Sequence, residues 1–208
     1  ICIAPDYVFV HESKKDQFLE HVAKMLKTLY GEQASESNDY ARIVNNRHFE
    51  RVKGYLEDSI EKGAKIEIGG KVDGSQDFME PTVVSNAPND SALMQNEIFG
   101  PILPVKTFTD LQEVIDHVNA GEKPLALYIY SKNRKNVNYL MNNTRAGGTC
   151  INHNAVHFFN SNLPFGGSNN SGIGKAGGWF GFEAFSNPRG VYKQHIPGAL
   201  EMLMYGVI

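Results

Sequence analysis

Apolar positions recur along the chain in two alternating rhythms. Asp6–Val10 (DYVFV) is a short run rich in β-branched and aromatic residues and predicts a strand. Phe18, Val22, Met25, Leu26 and Leu29 then follow at helical spacing and stop at Gly31. Ser13, with Asp16 three residues on, predicts a capping box at the start of that helix. Phe49, Val52, Leu56 and Ile60 form a second helical stripe, closed by Gly63. The segments AKIEIGG, TVV and PILPVKTF come next as strand candidates, Ile66 and Ile68 alternating in the first. Thr109 with Gln112 predicts the cap of a third helix, carried by Leu111, Val114, Ile115 and Val118 and ended by Gly121. ALYIYS and GGTCIN frame a fourth helix marked by Val137, Leu140 and Met141.

Strands that alternate with helices of ten or more residues predict an α/β fold, a mostly parallel sheet flanked by helices. Ligands of such sheets gather at the C-terminal ends of the strands, so any shared site is expected there. From Asn152 to about Ser186 the rhythm stops, and the chain becomes rich in Gly, Asn and Phe. A loop this long inside a compact domain is usually functional, and its phenylalanines and Trp179 predict an ordered, aromatic-lined pocket.

Composition narrows the function classes without choosing one. The 208 residues are 41% apolar and 21% charged, as in ordinary globular proteins. A net charge of −3 gives no basic footprint for nucleic acid. No apolar run is long enough to span a bilayer. Two cysteines far apart in sequence suit a reducing compartment, which implies the cytoplasm.

Four stretches carry candidate chemistry. Cys2 stands at the start of ICIAPDYV and is either a small buried hydrophobe or a reactive thiol; pattern alone leaves both open. Gly172, Gly174 and Gly177 satisfy G-x-G-x-x-G but follow SNNS instead of a strand, so a tight loop is the better reading than a phosphate cradle. Cys150, His153 and His157 have zinc-ligand residue types at C-x2-H-x3-H, yet no fourth ligand is identifiable and no metal is expected. In QNEIFGPILPV, Glu97 and Phe99 precede a Gly-Pro break. A carboxylate and a ring at a tight turn suit a ligand hydroxyl and a planar group, although a plain surface turn fits equally.

Taken together, ICIAPDYV, EIFGPILPV and LPFGGSNNSGIG followed by GFEAFS resemble the aldehyde dehydrogenase superfamily, in order and spacing over nearly the whole chain. The C-x-A-P-D-Y pattern of Cys2 to Tyr7 is closest to the class-3, fatty-aldehyde and coniferyl-aldehyde branch. The resemblance implies that Cys2 is the catalytic thiol, that Glu97 binds the nicotinamide ribose, and that Phe99 packs near the nicotinamide. It implies a substrate pocket containing Phe165, Asn152 and His157. It also implies NAD or NADP as cofactor, an aldehyde substrate and a homodimer. On this basis residues 1–186 are a catalytic domain that begins at the nucleophile, without the family's dinucleotide-binding domain, and residues 187–208 are an oligomerisation strand and tail, with Arg189 to Gln194 as the pairing strand. The expectation is therefore a C-terminal part of such an enzyme, inactive on its own and binding no cofactor alone. The alternatives are a thiol-dependent esterase-like module and a non-catalytic oligomerisation module.

Overall fold

The computed structural model describes residues 1–195 and 198–205. In chain order its elements are β1 (Val8–His11), α1 (Lys15–Tyr30), α2 (Asn46–Glu61), β2 (Lys65–Ile68), β3 (Val72–Asp73), β4 (Phe78–Met79), β5 (Thr82–Ser85) and α3 (Ala92–Gln95). There follow β6 (Ile102–Phe108), α4 (Leu111–Ala120), β7 (Ala126–Ile129), α5 (Arg134–Asn143), β8 (Gly148–Ile151), α6 (Val156–Phe159), α7 (Gly178–Ala184) and α8 (Ala199–Tyr205).

The main sheet has the order β1-β6-β5-β2. β6 runs parallel to both β1 and β5, while β2 joins the edge antiparallel. β7 and β8 make a separate parallel pair, and β3 with β4 a small antiparallel one. The expected α/β architecture is present, its strands divided among three sheets.

Strand alternation sends successive side chains to opposite faces, and each face of the main sheet meets a helix. Val84 and Ile102 pack with Met79, Leu93 and Ile98 beneath Val52 and Leu56 of α2. Val10, Val83 and Val105 point the other way, where Phe18, Leu19 and Val22 of α1 cover them. The later part of the α1 stripe is less well covered: Leu26 is half-buried, and Met25 and Leu29 stay exposed.

Helix starts depart from expectation by small amounts. A 3₁₀ turn (Glu12–Lys14) precedes α1, and the His11 ring, not a Ser13–Asp16 box, accepts the Ser13 N–H. The box of α4 is Asp110 with Glu113, one residue beyond Thr109 and Gln112. Thr109 instead donates its N–H and hydroxyl to the Glu113 carboxylate, which explains the near coincidence. Asp6 lies before β1, its side chain bonded elsewhere, so the first strand begins later than DYVFV predicts.

Residues 187–194 have no regular secondary structure and belong to no ladder among the described residues, residue 195 is a bend, and α8 follows. The tail expected to run to residue 208 lies outside the described residues from 206 onward. Among those described, no helix is long and apolar enough to cross a membrane.

Glu67 on β2 joins three elements. It accepts from Ser85 Oγ of β5 at 2.5 Å and pairs with Lys15 at the start of α1 and with Lys65, each at 3.1 Å. The Ser85 hydroxyl and the two ammonium groups hold its carboxyl at about 2. The contribution of ionised Glu67 to stability is complete above the unfolded-state value of 4.5 and is lost as the pH falls towards 2. Glu67→Gln is expected to lower the melting temperature at pH 7, and the gap from wild type should narrow steadily below pH 4.5 in thermal melts followed by circular dichroism.

Candidate active site

Cys2 sits in a turn that precedes β1. Ala4 N–H donates to the Ile1 carbonyl at 2.9 Å, and Ile3 is driven into the core at 2% exposure. With Ile3 inside, its neighbour Cys2 faces solvent, which removes the reading of Cys2 as a buried hydrophobe. The Ile3 carbonyl accepts from Tyr128 Oη of β7 at 2.6 Å, tying the turn to the second sheet. Burial, first of all, raises the Tyr128 phenol pKa, so it stays a donor at neutral pH.

The turn before β6 holds Glu97 and Phe99, both exposed, on either side of the fully buried Ile98. Ile98 is a wedge between Val52, Leu56, Leu93 and Ile102. Phe99 has φ of +44°, an unfavourable value for a non-glycine residue, and its ring is 57% exposed. Gly100 must lack a side chain, since a Cβ there would come within 2.7 Å of Val52. Strained, exposed aromatic backbone of this kind persists only where neighbours fix it, and such positions cluster at ligand sites. Here the fixing groups are Asp6, whose Oδ1 accepts from Ile98 N–H at 2.9 Å, and Arg51, which reaches the Glu97 and Phe99 carbonyls at 3.4 and 3.5 Å.

These contacts put the Cys2 segment beside the Glu97–Phe99 turn at the N-terminal ends of β1 and β6. The expectation of a site at strand C-terminal ends is therefore corrected for these two motifs. β1 and β6 are parallel neighbours in the register Val8↔Val105, so the segments entering them are brought together at one edge.

The third group hangs from the far end of β8. Asn152 has φ of +56°, and its side-chain amide donates to the Ser131 carbonyl at 3.2 Å and accepts from Ser131 N–H at 2.9 Å. It pins the exits of β7 and β8 together. His157 on α6 is 7% exposed and its ring nitrogens find no partner among the described residues. Burial lowers its pKa, so the ring is neutral. It packs against Tyr128 (centroids 6.0 Å apart) and Phe165 (5.7 Å), and Gly148 makes room, since a Cβ there would lie 2.8 Å from the imidazole. A contact path thus runs from the Cys2 turn through Ile3, Tyr128 and His157 to Phe165.

Phe165 is bridged to Ala176 by two backbone hydrogen bonds, and Lys175 anchors the same loop. Its ammonium donates to the carbonyls of Gly147, Gly166 and Gly167 at 2.7–3.0 Å. Gly172, Gly174 and Gly177 all have positive φ and follow a 3₁₀ turn (Asn169–Ser171), as a tight loop requires. The aromatic stretch is ordered into α6 and α7, and among the described residues its rings lie open instead of lining either of the two main concavities. Phe158, Phe159, Trp179, Phe182 and Phe185 are exposed, and concavities of about 480 and 170 Å³ lie elsewhere, between α4 and α5 and beside Lys106. The rings form an open wall because no other described segment covers them. Cys150 is buried while His153 is exposed, and no group of three potential ligands among the described residues is arranged for a metal.

Asp6, Arg51, Tyr128 and Lys175 were not singled out from the sequence. Asp6 lies inside C-x-A-P-D-Y, a visible signal, whereas Arg51 is one more polar position on an amphipathic helix.

Comparison with known proteins gives this geometry its context. The model of the aldehyde dehydrogenase family matches residues 1–191. Rat aldehyde dehydrogenase family 3 member A2 is 42% identical over 90% of this chain and 38% of its own length. The rat dimeric NADP-preferring aldehyde dehydrogenase is also 42% identical, over 90% of this chain and 40% of its own. A substrate-bound structure of Staphylococcus aureus AldH superposes with a TM-score of 0.83 at 35% identity, covering 99% of this chain and 47% of that one. The chain spans about two fifths of the length of these curated relatives. With the family model extending from the Cys2 turn past the aromatic loop, the chain belongs to the aldehyde dehydrogenase family.

Proposed function

We propose that this chain is the nucleophile-bearing part of an NAD(P)-dependent aldehyde dehydrogenase that oxidises aldehydes to carboxylic acids. The observation that carries the proposal is the hydrogen bond from Ile98 N–H to Asp6 Oδ1, which holds the turn of Glu97 and Phe99 against the segment of the exposed Cys2.

Cys2 is the nucleophile: its thiolate adds to the aldehyde carbon and forms a thiohemiacetal whose oxyanion needs preorganised donors, the Cys2 backbone N–H among them. NAD(P)+, when bound, supplies the hydride acceptor. Loss of hydride leaves a thioester on Cys2, and water then releases the acid and regenerates the thiol. Glu97 and Phe99 fit the nicotinamide end of such a cofactor. An exposed carboxylate beside an exposed ring, both on a backbone fixed at three successive residues, can hold ribose hydroxyls and face a planar group without rearranging. Phe165 and the neutral His157 wall the substrate side, and Asn152 serves that wall by fixing the strand exits. Arg189 to Gln194, with Val191 and Tyr192 exposed, would supply the strand that pairs with a second copy in a homodimer.

The longer protein containing this chain should reduce NAD(P)+ in the presence of aliphatic or aromatic aldehydes, and Cys2→Ala should abolish the absorbance change at 340 nm. Silence from the wild-type protein with both cofactors would overturn the assignment. The isolated 208 residues should give no NAD(P)H and no calorimetric NAD(P)+ binding, whereas Cys2-dependent turnover by them would show that the chain suffices. Glu97→Gln is expected to slow hydride transfer by roughly 10–100-fold while weakening cofactor binding less, because a misplaced nicotinamide acts on the transition state. Unchanged kcat with raised KM for NAD(P)+ would contradict that role.

A further inference from the structure

Glu97, Ile98 and Phe99 are gripped from two sides. Arg51 reaches the carbonyls of the outer residues, its guanidinium resting 5.1 Å from the centre of the Tyr55 ring. Asp6 takes the N–H of the middle one in a short, charge-assisted bond, stronger than the long contacts of Arg51. Asp6 lies four residues after Cys2 in one continuous segment that also carries the buried Ile3. A carboxylate half-buried at this edge is costly. Burial raises its pKa, the Ile98 N–H lowers it, and the nearby Glu97 carboxylate raises it again.

We infer that Asp6 is a positioning residue: through its acceptor oxygen on Ile98 N–H it fixes the distance between the Cys2 thiol and the ligand-facing groups Glu97 and Phe99. The inference rests on the roles proposed above for Cys2 and Glu97. Without this bond, Ile98 remains wedged in the core, but the peptide on which Phe99 adopts φ of +44° loses its link to the nucleophile segment. The two turns then still share the β1–β6 ladder, but lose the side-chain bond that joins them ahead of it. Asp6→Asn retains an oxygen that can accept from Ile98 N–H, whereas Asp6→Ala removes it. A positional role predicts that the first variant works and the second does not.

In the longer protein containing this chain, Asp6→Ala should lower kcat by roughly 10²-fold, the scale of a misplacement of about 1 Å. KM for NAD(P)+ should change less than about threefold, and the primary isotope effect with aldehyde deuterated at the carbonyl carbon should rise as hydride transfer becomes limiting. Asp6→Asn should recover kcat to within about fivefold of wild type, a small residue of the 10²-fold loss. If Asp6→Ala fails to fold, Asp6→Glu takes its place, since the added methylene displaces the acceptor and should give the same loss. In parallel, amide exchange at Ile98 in the 208-residue chain should be slow in wild type and Asp6→Asn and fast in the variant that loses the acceptor. Equal impairment of Asp6→Asn and Asp6→Ala, or an Ile98 amide equally protected in both, would overturn the inference. An inactive wild-type protein would instead sink the proposed reaction, while the exchange experiment would still decide whether Asp6 holds the turn.

Discussion

The parallel pairing of β6 with β1 is the constraint on which the site depends. Parallel strands enter a sheet from the same end, so whatever precedes each of them is forced into proximity. Before β1 comes the Cys2 turn; before β6 comes the turn of Glu97 and Phe99. Residues more than ninety positions apart are joined by one hydrogen bond as a consequence. β6 is also flanked by β5 and packed on both faces, so its register cannot slip without moving Ile102 and Val105 out of opposite halves of the core.

Packing extends that constraint to the exposed groups. Ile98 enters the cluster beneath α2, and its two neighbours are thereby turned outward. The arrangement costs backbone strain at Phe99 and admits only glycine at position 100, because Val52 occupies the space beside it. Buried apolar contact thus sets the direction of polar and aromatic side chains that themselves contribute little to the core.

The second parallel pair, β7 with β8, plays a different part. Tyr128 reaches from it to the Ile3 carbonyl, and Lys175 ties the loop after it to the Gly147 carbonyl at the start of β8 and to the loop's own Gly166 and Gly167 carbonyls. Between those two anchors lie His157, sealed in a neutral form, and Phe165. Beyond them the aromatic rings of α6 and α7 are largely uncovered, and Phe185 just after α7 is 96% exposed. Exposed rings in this number form an apolar surface on the loop side of β7 and β8.

Much of this protein was legible in the residues alone. Helical stripes such as Val52 with Leu56, the β-branched strands and the family motifs are local patterns, and local periodicity directly reflects which face is buried. The exposure of Cys2, the place of the Cys2 and Glu97–Phe99 turns at strand entrances and the choice of Asp110 over Thr109 were not legible. Each depends on which neighbour takes a hydrogen bond or a volume first: Ile3 filling the core beside Cys2, β1 pairing with β6, Glu113 turning back onto the chain before it. Asn152 shows the same limit, its amide claimed by Ser131 across two strands. Sequence determined the elements and the residue types available for chemistry. Tertiary structure decided which of them meet, because contacts between distant segments arise only when the sheet register brings them together.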